Sequence, residues 1–278
     1  MMQRSPSDDL VQHSQLAFNY ASDSENRMHS DEGAQPFGFR GGLVPGIADY
    51  AFFVPPVVAA LGDDWPQRGW MAVRLLAPVY DGDRVVVSGR AKQGSPPSLE
   101  LELRGADGTV CAECSAGIDG GPEIFEADLA AGPPPPQPED RPPASLDELP
   151  EGTPLGSLEV TLDPTALRAA WSENFGPAGD WPGSVDAPHP AFYPEQGNRI
   201  LTSNVVLGPW IHTESRTRHV DGVRWGERLS VRAAVREAFE KNGHERVHLD
   251  VGFYGSDGRT VALLDHRAII RPRLAATA

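Results

Sequence analysis

The sequence predicts an α+β protein built from two similar halves, each a long helix followed by an antiparallel sheet. Three observations carry this. The chain repeats itself: Gly82-Asp83-Arg84-Val85-Val86-Val87 is answered by Gly226-Glu227-Arg228-Leu229-Ser230-Val231, and Asp107-Gly108-Thr109-Val110 by Asp257-Gly258-Arg259-Thr260-Val261. An offset of roughly 140 to 150 residues is that of a whole domain rather than of a solenoid repeat. Short runs of strand character are separated by turn signals such as Asp81-Gly82-Asp83 and Ala106-Asp107-Gly108, the spacing of an antiparallel meander. Finally, residues 121–154 hold ten of the 27 prolines, Pro133-Pro134-Pro135-Pro136 among them. That composition favours extended polyproline geometry and reads as a linker. It divides the chain into a first unit at 1–120 and a second at 155–278.

The elements follow in order. The apolar stretch 47–61 is long enough for a helix, opened by Gly46, interrupted by Pro55-Pro56 and stopped by Gly62. Strands are expected at 71–78, 84–91, 98–104 and 109–118. In the second unit, Leu167, Ala170 and Trp171 place a helical patch at 164–175. A second long helix spans 195–207 and stops at Gly208-Pro209, with strands at about 210–219, 227–238, 245–254 and 260–271. A curved sheet wrapped around a central helix is the hot-dog arrangement, so the chain reads as a double hot-dog.

Composition narrows the function. A formal net charge of −15 repels polyanions, so nucleic acid is not the expected ligand, and a phosphorylated small molecule would need a local cluster of Arg or Lys. The first residues lack an apolar run of signal-peptide type, and no window has the length of a membrane span. A cytoplasmic protein without a membrane partner is expected. Cys111 and Cys114 are spaced C-x-x-C on a strand, where residues three apart point to opposite faces, and two further zinc ligands at matching spacing are missing. They read as small, half-buried side chains. His212 and His219 share a strand at odd separation, which also predicts opposite faces and no metal site. Gly-x-Ser-x-Gly, phosphate-binding Gly-Lys-Ser and dinucleotide Gly-x-Gly-x-x-Gly motifs do not occur.

The strongest local signal precedes the first long helix: Asn26, Met28, His29, Ala34, Gly38-Phe39 and Gly46, in that order. This run resembles the MaoC-like hydratases and dehydratases, hot-dog enzymes that include the (R)-specific enoyl-CoA hydratases. Their motif reads Asp-x-Asn-Pro-aliphatic-His, then a Gly-Phe and a Gly opening the central helix. The resemblance covers residues 15–118, and the second half as a degenerate copy. Two positions depart from it: Ser24 stands where the family has Asp, and Arg27 where it has Pro. The nearest carboxylates are Asp23 and Glu25.

The resemblance implies acyl-thioester hydration or dehydration, with coenzyme A or an acyl carrier entering as part of the substrate and no other cofactor. Adding water across a conjugated thioester needs a base, an acid for the α-carbon and a donor to the thioester oxygen. His29 is the expected base, Asn26 its orienting neighbour, and Asp23, Glu25 or Asp31 the carboxylate. The Gly46 N–H suits the oxyanion. Arg40 and Arg74 are candidates for carrier phosphates, with Arg84 beside them, and Tyr50 and Trp70 for lining the acyl pocket. Ser172-Glu173-Asn174 echoes Ser24-Glu25-Asn26, but no His follows, so the second half is expected to serve as pocket wall. A thioesterase on the same scaffold, or a non-catalytic thioester-binding subunit, are the alternatives, and either a monomer or a homodimer is compatible with two repeats.

Overall fold

The structure, a computed structural model, describes residues 10–92, 97–125 and 129–275. Its strands are β1 (Leu10–Leu16), β2 (Gly69–Leu75), β3 (Arg84–Lys92), β4 (Ser98–Arg104), β5 (Val110–Ile118), β6 (Leu158–Thr161), β7 (Ile211–His219), β8 (Arg228–Lys241), β9 (His244–Gly255) and β10 (Thr260–Arg271). Together they form one antiparallel sheet in the order β1-β3-β4-β5-β2-β7-β10-β9-β8-β6. Outward from the central β2–β7 pair, the two halves have the same strand order: β2 answers β7, β5 answers β10, β4 answers β9, β3 answers β8 and β1 answers β6. The internal echo in the sequence is thus an internal echo in topology. Trp70 to Arg74 pair with Arg218 to Glu214 at the seam, which joins the two repeats by backbone hydrogen bonds rather than by side-chain packing alone.

Strand alternation explains which face is covered. Met71 and Val73, Val85 and Val87, and Leu99, Leu101 and Leu103 are buried at every second position in the first half. Leu229, Val231, Ala233 and Val235, with Val247, Leu249, Val251 and Phe253, do the same in the second. Against this face lie α2 (Gly46–Phe52) and α3 (Val54–Leu61) from the first repeat and α6 (Phe192–Asn204) from the second. The expected 47–61 helix is two helices broken at Phe53, because Pro55 and Pro56 cannot donate to the preceding turn and so occupy the first turn of α3. Short α1 (Asp31–Ala34) and α4 (Trp65–Arg68) flank this pair, and α5 (Pro164–Phe175) precedes α6, with Asp163 as its N-cap.

The proline-rich stretch lies along the second repeat. Pro143 bridges to Val206 and Pro154 to Ala234, Leu155 N–H donates to Ala233, and Ile124, Ala144 and Leu149 are buried. Both cysteines are buried thiols without a disulfide, and burial pushes both pKa values up, which leaves them as inert core groups. No described helix is long and apolar enough to cross a membrane, and no cluster of metal-ligating side chains occurs among the described residues.

Candidate active site at the junction of the repeats

The loop that carries the Asn26–His29 motif is shaped by its own side chains. Asn26 caps a 3-10 turn at Arg27–His29, its Oδ1 accepting from Met28 N–H at 3.2 Å. Arg27 takes the first position of that turn, where a proline would fit without losing a bond, and stays exposed. Ser30 then caps α1 by accepting from Gly33 N–H. The chain returns past the motif at residues 42–43: Leu43 N–H donates to the Met28 carbonyl, and Asp31 Oδ1 accepts from Gly42 N–H at 2.7 Å. Only a glycine fits at 42, since a Cβ there would overlap the His29 carbonyl.

These bonds fix the imidazole. His29 Nδ1 lies 2.8 Å from the Leu43 carbonyl, which can only accept, so Nδ1 carries the proton. Nε2 is therefore the lone-pair nitrogen, and Asn26 Nδ2 stands 3.2 Å from it. The amide orientation is over-determined: Oδ1 accepts from Met28 N–H and Trp210 N–H (3.2 Å each), and Nδ2 donates to the Trp210 carbonyl at 3.0 Å. Asn26 thus ties the first repeat's motif to the start of the second repeat's central strand. Burial lowers the His29 pKa below its ordinary value, against the Leu43 bond that raises it, so the ring is neutral at pH 7.

His29 and Asn26 open onto a cleft of about 610 Å³ between the repeats. Its floor is Val44, Pro45, Gly46 and Asp49 at the start of α2. One wall is the strand end Arg74–Val79, and the other is the stretch from Trp210 to Glu214 with Asn198 of α6. Gly46 is the first residue of α2 and Pro45, its N-cap, offers no side chain to the free N–H groups of the first turn. Asp49 is 4% exposed, its Oδ1 lacks a partner, and burial pushes its carboxyl well above the usual range, which favours the protonated form. At the far mouth stand Lys241, His244, Arg246, His248 and Arg267. Arg267 is held by Asp265 and Glu214, and His248 by Glu237, whereas no ion pair forms for Lys241 or Arg246 among the described residues. In so acidic a chain that mouth is a local cationic patch.

The expected site residues divide. His29, Asn26, Gly46 and Arg74 line the cleft. Asp23, Glu25 and Asp31 do not supply the expected carboxylate: Asp23 and Glu25 are exposed, Asp31 is committed to Gly42, and the ring nitrogens of His29 face Leu43 and Asn26 instead. Arg40 is not at the cleft; it pairs with Asp83 at 2.6 Å and lies over the Tyr80 ring at 4.0 Å. Arg84 is an exposed residue at the start of β3 and does not line the cleft either. Tyr50 is fully buried in the core, donating to Thr217 Oγ1, and Trp70 sits over the outer sheet face with its Nε1–H on the Asp119 carbonyl. Neither lines the cleft.

Two further groups carry no mark in the sequence. Asp49 is there one polar residue in an apolar helix. Odd separation sets His212 opposite His219, but the β7–β10 ladder slips one residue at Thr213, with Glu214 opposite Arg267 and His212 opposite Ala268. This bulge turns His212 onto the buried face of Ser215, Thr217 and His219. A Gly or Pro marker, the usual sequence sign of a bulge, is absent there.

No protein-family model matches the chain, and no curated protein matches it. Solved structures do. A protein from Mycobacterium tuberculosis described as having a double hotdog fold aligns over 92% of this chain and 93% of its own, with a TM-score of 0.61 at 16% identity. One described as a MaoC domain dehydratase, from Chloroflexus aurantiacus, aligns over 98% and 100%, with a TM-score of 0.59 at 12% identity. One described as an oleoyl thioesterase, from Lactobacillus plantarum, aligns over 96% and 99%, with a TM-score of 0.53 at 11% identity. At such identities the shared property is the backbone. The chain is a double hot-dog protein, with the architecture that MaoC-like dehydratases have.

Proposed function

We propose that this chain acts on acyl thioesters in the cleft between its repeats, adding water to a 2-enoyl thioester or removing it from a 3-hydroxyacyl thioester. The observation that carries this reading is His29, held neutral with Nδ1–H on the Leu43 carbonyl and Nε2 next to Asn26, in a cleft that Asn26 and Gly46 of α2 also line. In hydration, His29 Nε2 takes a proton from water as its oxygen bonds to C3. The long 3.2 Å contact from Asn26 is weak enough for a water donor to take its place. The electron pair of the double bond moves to the thioester oxygen, where an amide of the first turn of α2 stabilises the enolate, and C2 then accepts a proton. Asp49, buried in the cleft floor where burial favours its protonated form, is the acid on hand for that last step. The carrier is coenzyme A or an acyl carrier, its phosphates at Lys241 and Arg246 rather than at Arg40.

Thioester hydrolysis is the second reading, favoured by the likeness to the structure described as an oleoyl thioesterase, with neutral His29 as the base that activates water toward the thioester carbon. Crotonyl-CoA separates the two. Loss of the conjugated enoyl absorbance without thiol release, abolished in His29→Gln, supports hydration; thiol release with the enoyl group intact supports hydrolysis. Tight binding with neither reaction would leave a thioester-binding protein.

A further inference from the structure

The second repeat contributes more than a wall. His212 Nε2 lies 2.8 Å from Ser215 Oγ, Ser215 Oγ lies 2.9 Å from His266 Nδ1, and His266 Nε2 lies 2.9 Å from Asn198 Oδ1. The two imidazoles stack, with centroids 4.6 Å apart and planes 20° from parallel, an arrangement that a charge on both would break. The proton order along this chain follows from its end. An amide oxygen only accepts, so His266 donates from Nε2 and has a lone pair at Nδ1. Ser215 must then give its hydroxyl proton to His266 and accept from His212 Nε2–H. His212 is left with a bare lone pair at Nδ1. That atom is buried without a partner, on a residue 6% exposed, and it faces Gly46: a Cβ built on Gly46 would stand 3.1 Å from it. The tip of Leu75, half-buried at the end of β2, covers the same spot, and a leucine tip can rotate aside for a ligand.

A buried acceptor without a donor costs free energy that the protein alone does not recover. The donor that fits comes with the substrate. Water added to an enoyl thioester has two hydrogens. One leaves to His29 in the reading above; the other stays on the product hydroxyl and needs an acceptor in a dry site. We propose that His212 Nδ1 accepts the hydrogen bond of the 3-hydroxyl of the acyl thioester, or of the water that becomes it, with Ser215, His266 and Asn198 holding the ring in the Nε2–H form. The proposal rests on the thioester reading and deepens it. His212 is then a catalytic residue supplied by the second repeat, and Ser215 and His266 are positioning residues. The bulge at Thr213 brings His212 and Ser215 to one face, where a regular strand would place them on opposite faces.

Two measurements test this. Nitrogen-15 NMR of the histidine rings in the free protein reads the tautomer: an unprotonated Nδ1 on His212 is expected, with Ser215→Ala shifting it toward a mixture. A protonated Nδ1 in the wild type would overturn the acceptor whatever the ligand proves to be. Calorimetry then compares 3-hydroxybutyryl-CoA with butyryl-CoA. The wild type should favour the hydroxy compound by roughly fivefold to tenfold, the value of one hydrogen bond. His212→Phe and Ser215→Ala should lose that preference while keeping their affinity for butyryl-CoA. The same preference in both variants would overturn the proposal. Failure of the wild type to bind either compound would instead overturn the thioester reading, and with it the ligand named here, leaving the tautomer result standing.

Discussion

Asn26→Asp exchanges one NH2 for an oxygen at the centre of the site, and its consequence follows from the bonds around it. Oδ1 keeps its two backbone donors, so the side chain stays oriented and the second oxygen falls where Nδ2 was, 3.2 Å from His29 Nε2. In the wild type that neighbour is a donor, which opposes protonation of the ring. In the variant it is a negative charge. Coulomb's law for unit charges at this distance gives about 5 kcal/mol at an effective dielectric of about 20, and about 1.3 kcal/mol in water. The corresponding rise in the His29 pKa is about 1–3 units, the range found for close opposite charges. His29, lowered below 6.5 by burial in the wild type, should become a cation at pH 7, with Nδ1–H on Leu43 and Nε2–H on the introduced carboxylate. The Trp210 carbonyl loses its donor, at a cost of about 1–3 kcal/mol. For a chain of this size that lowers Tm by several degrees, at about 2–4 °C per kcal/mol. NMR titration of the His29 ring is the assay. A folded variant in which His29 still titrates below 6.5 would refute the hydrogen-bond assignment on which the site is built.

Other outcomes follow from the same geometry. Gly46→Ala places a methyl against Leu75 and 3.1 Å from His212 Nδ1, so thioester affinity should fall at least tenfold, by calorimetry, while the far-ultraviolet spectrum is unchanged. Arg40→Ala removes a solvent-exposed ion pair away from the cleft and should leave acyl-CoA affinity intact, whereas Arg246→Ala should weaken coenzyme A thioesters more than their truncated pantetheine analogues. Burial pushes His189 down to about 3 and both His212 and His219 to about 4. Such rings stay neutral when folded but take up protons near pH 6.5 when unfolded, so their contribution is complete above 6.5 and is lost as pH falls toward 4. Asp49, with its raised pKa, acts in the opposite sense. Urea unfolding should therefore show stability declining by roughly 3 kcal/mol per pH unit between 6 and 5, and His189→Phe should flatten that slope.

The fold is legible because its signals are local. Turns at Gly82, Gly108, Gly226 and Gly258, each with positive φ, bracket strands of plain alternation, and the expected strand at 98–104 is found as β4, Ser98–Arg104. Edge strands β1 and β6 give no such signal. β6 alternates Leu158, Glu159, Val160 and Thr161 but is only four residues long, too short for the alternation to stand out, and β1 puts polar beside polar (His13, Ser14, Gln15). The site is legible only where its residues are contiguous. Asn26, His29 and Gly46 stand on one loop and the helix it leads into. Asp49, Asn198, His212 and Arg246 converge on the cleft from four different elements, and no spacing along the chain records that. For His212 the reason is sharper: one extra residue in a ladder reverses every inward and outward assignment on one side of it.

If both repeats build one cleft and an acyl thioester occupies it, two histidines far apart in sequence must sense the same ligand. Titration of histidine-labelled protein with a non-reactive thioether analogue of butyryl-CoA puts this to the test. The ring signals of His29, from the first repeat, and His212, from the second, should shift together with a single Kd. His189, enclosed by Trp171, Phe175 and Trp181 away from the cleft, should stay still. Saturable shifts at neither cleft histidine, or at only one of them, would contradict a shared acyl-thioester cleft.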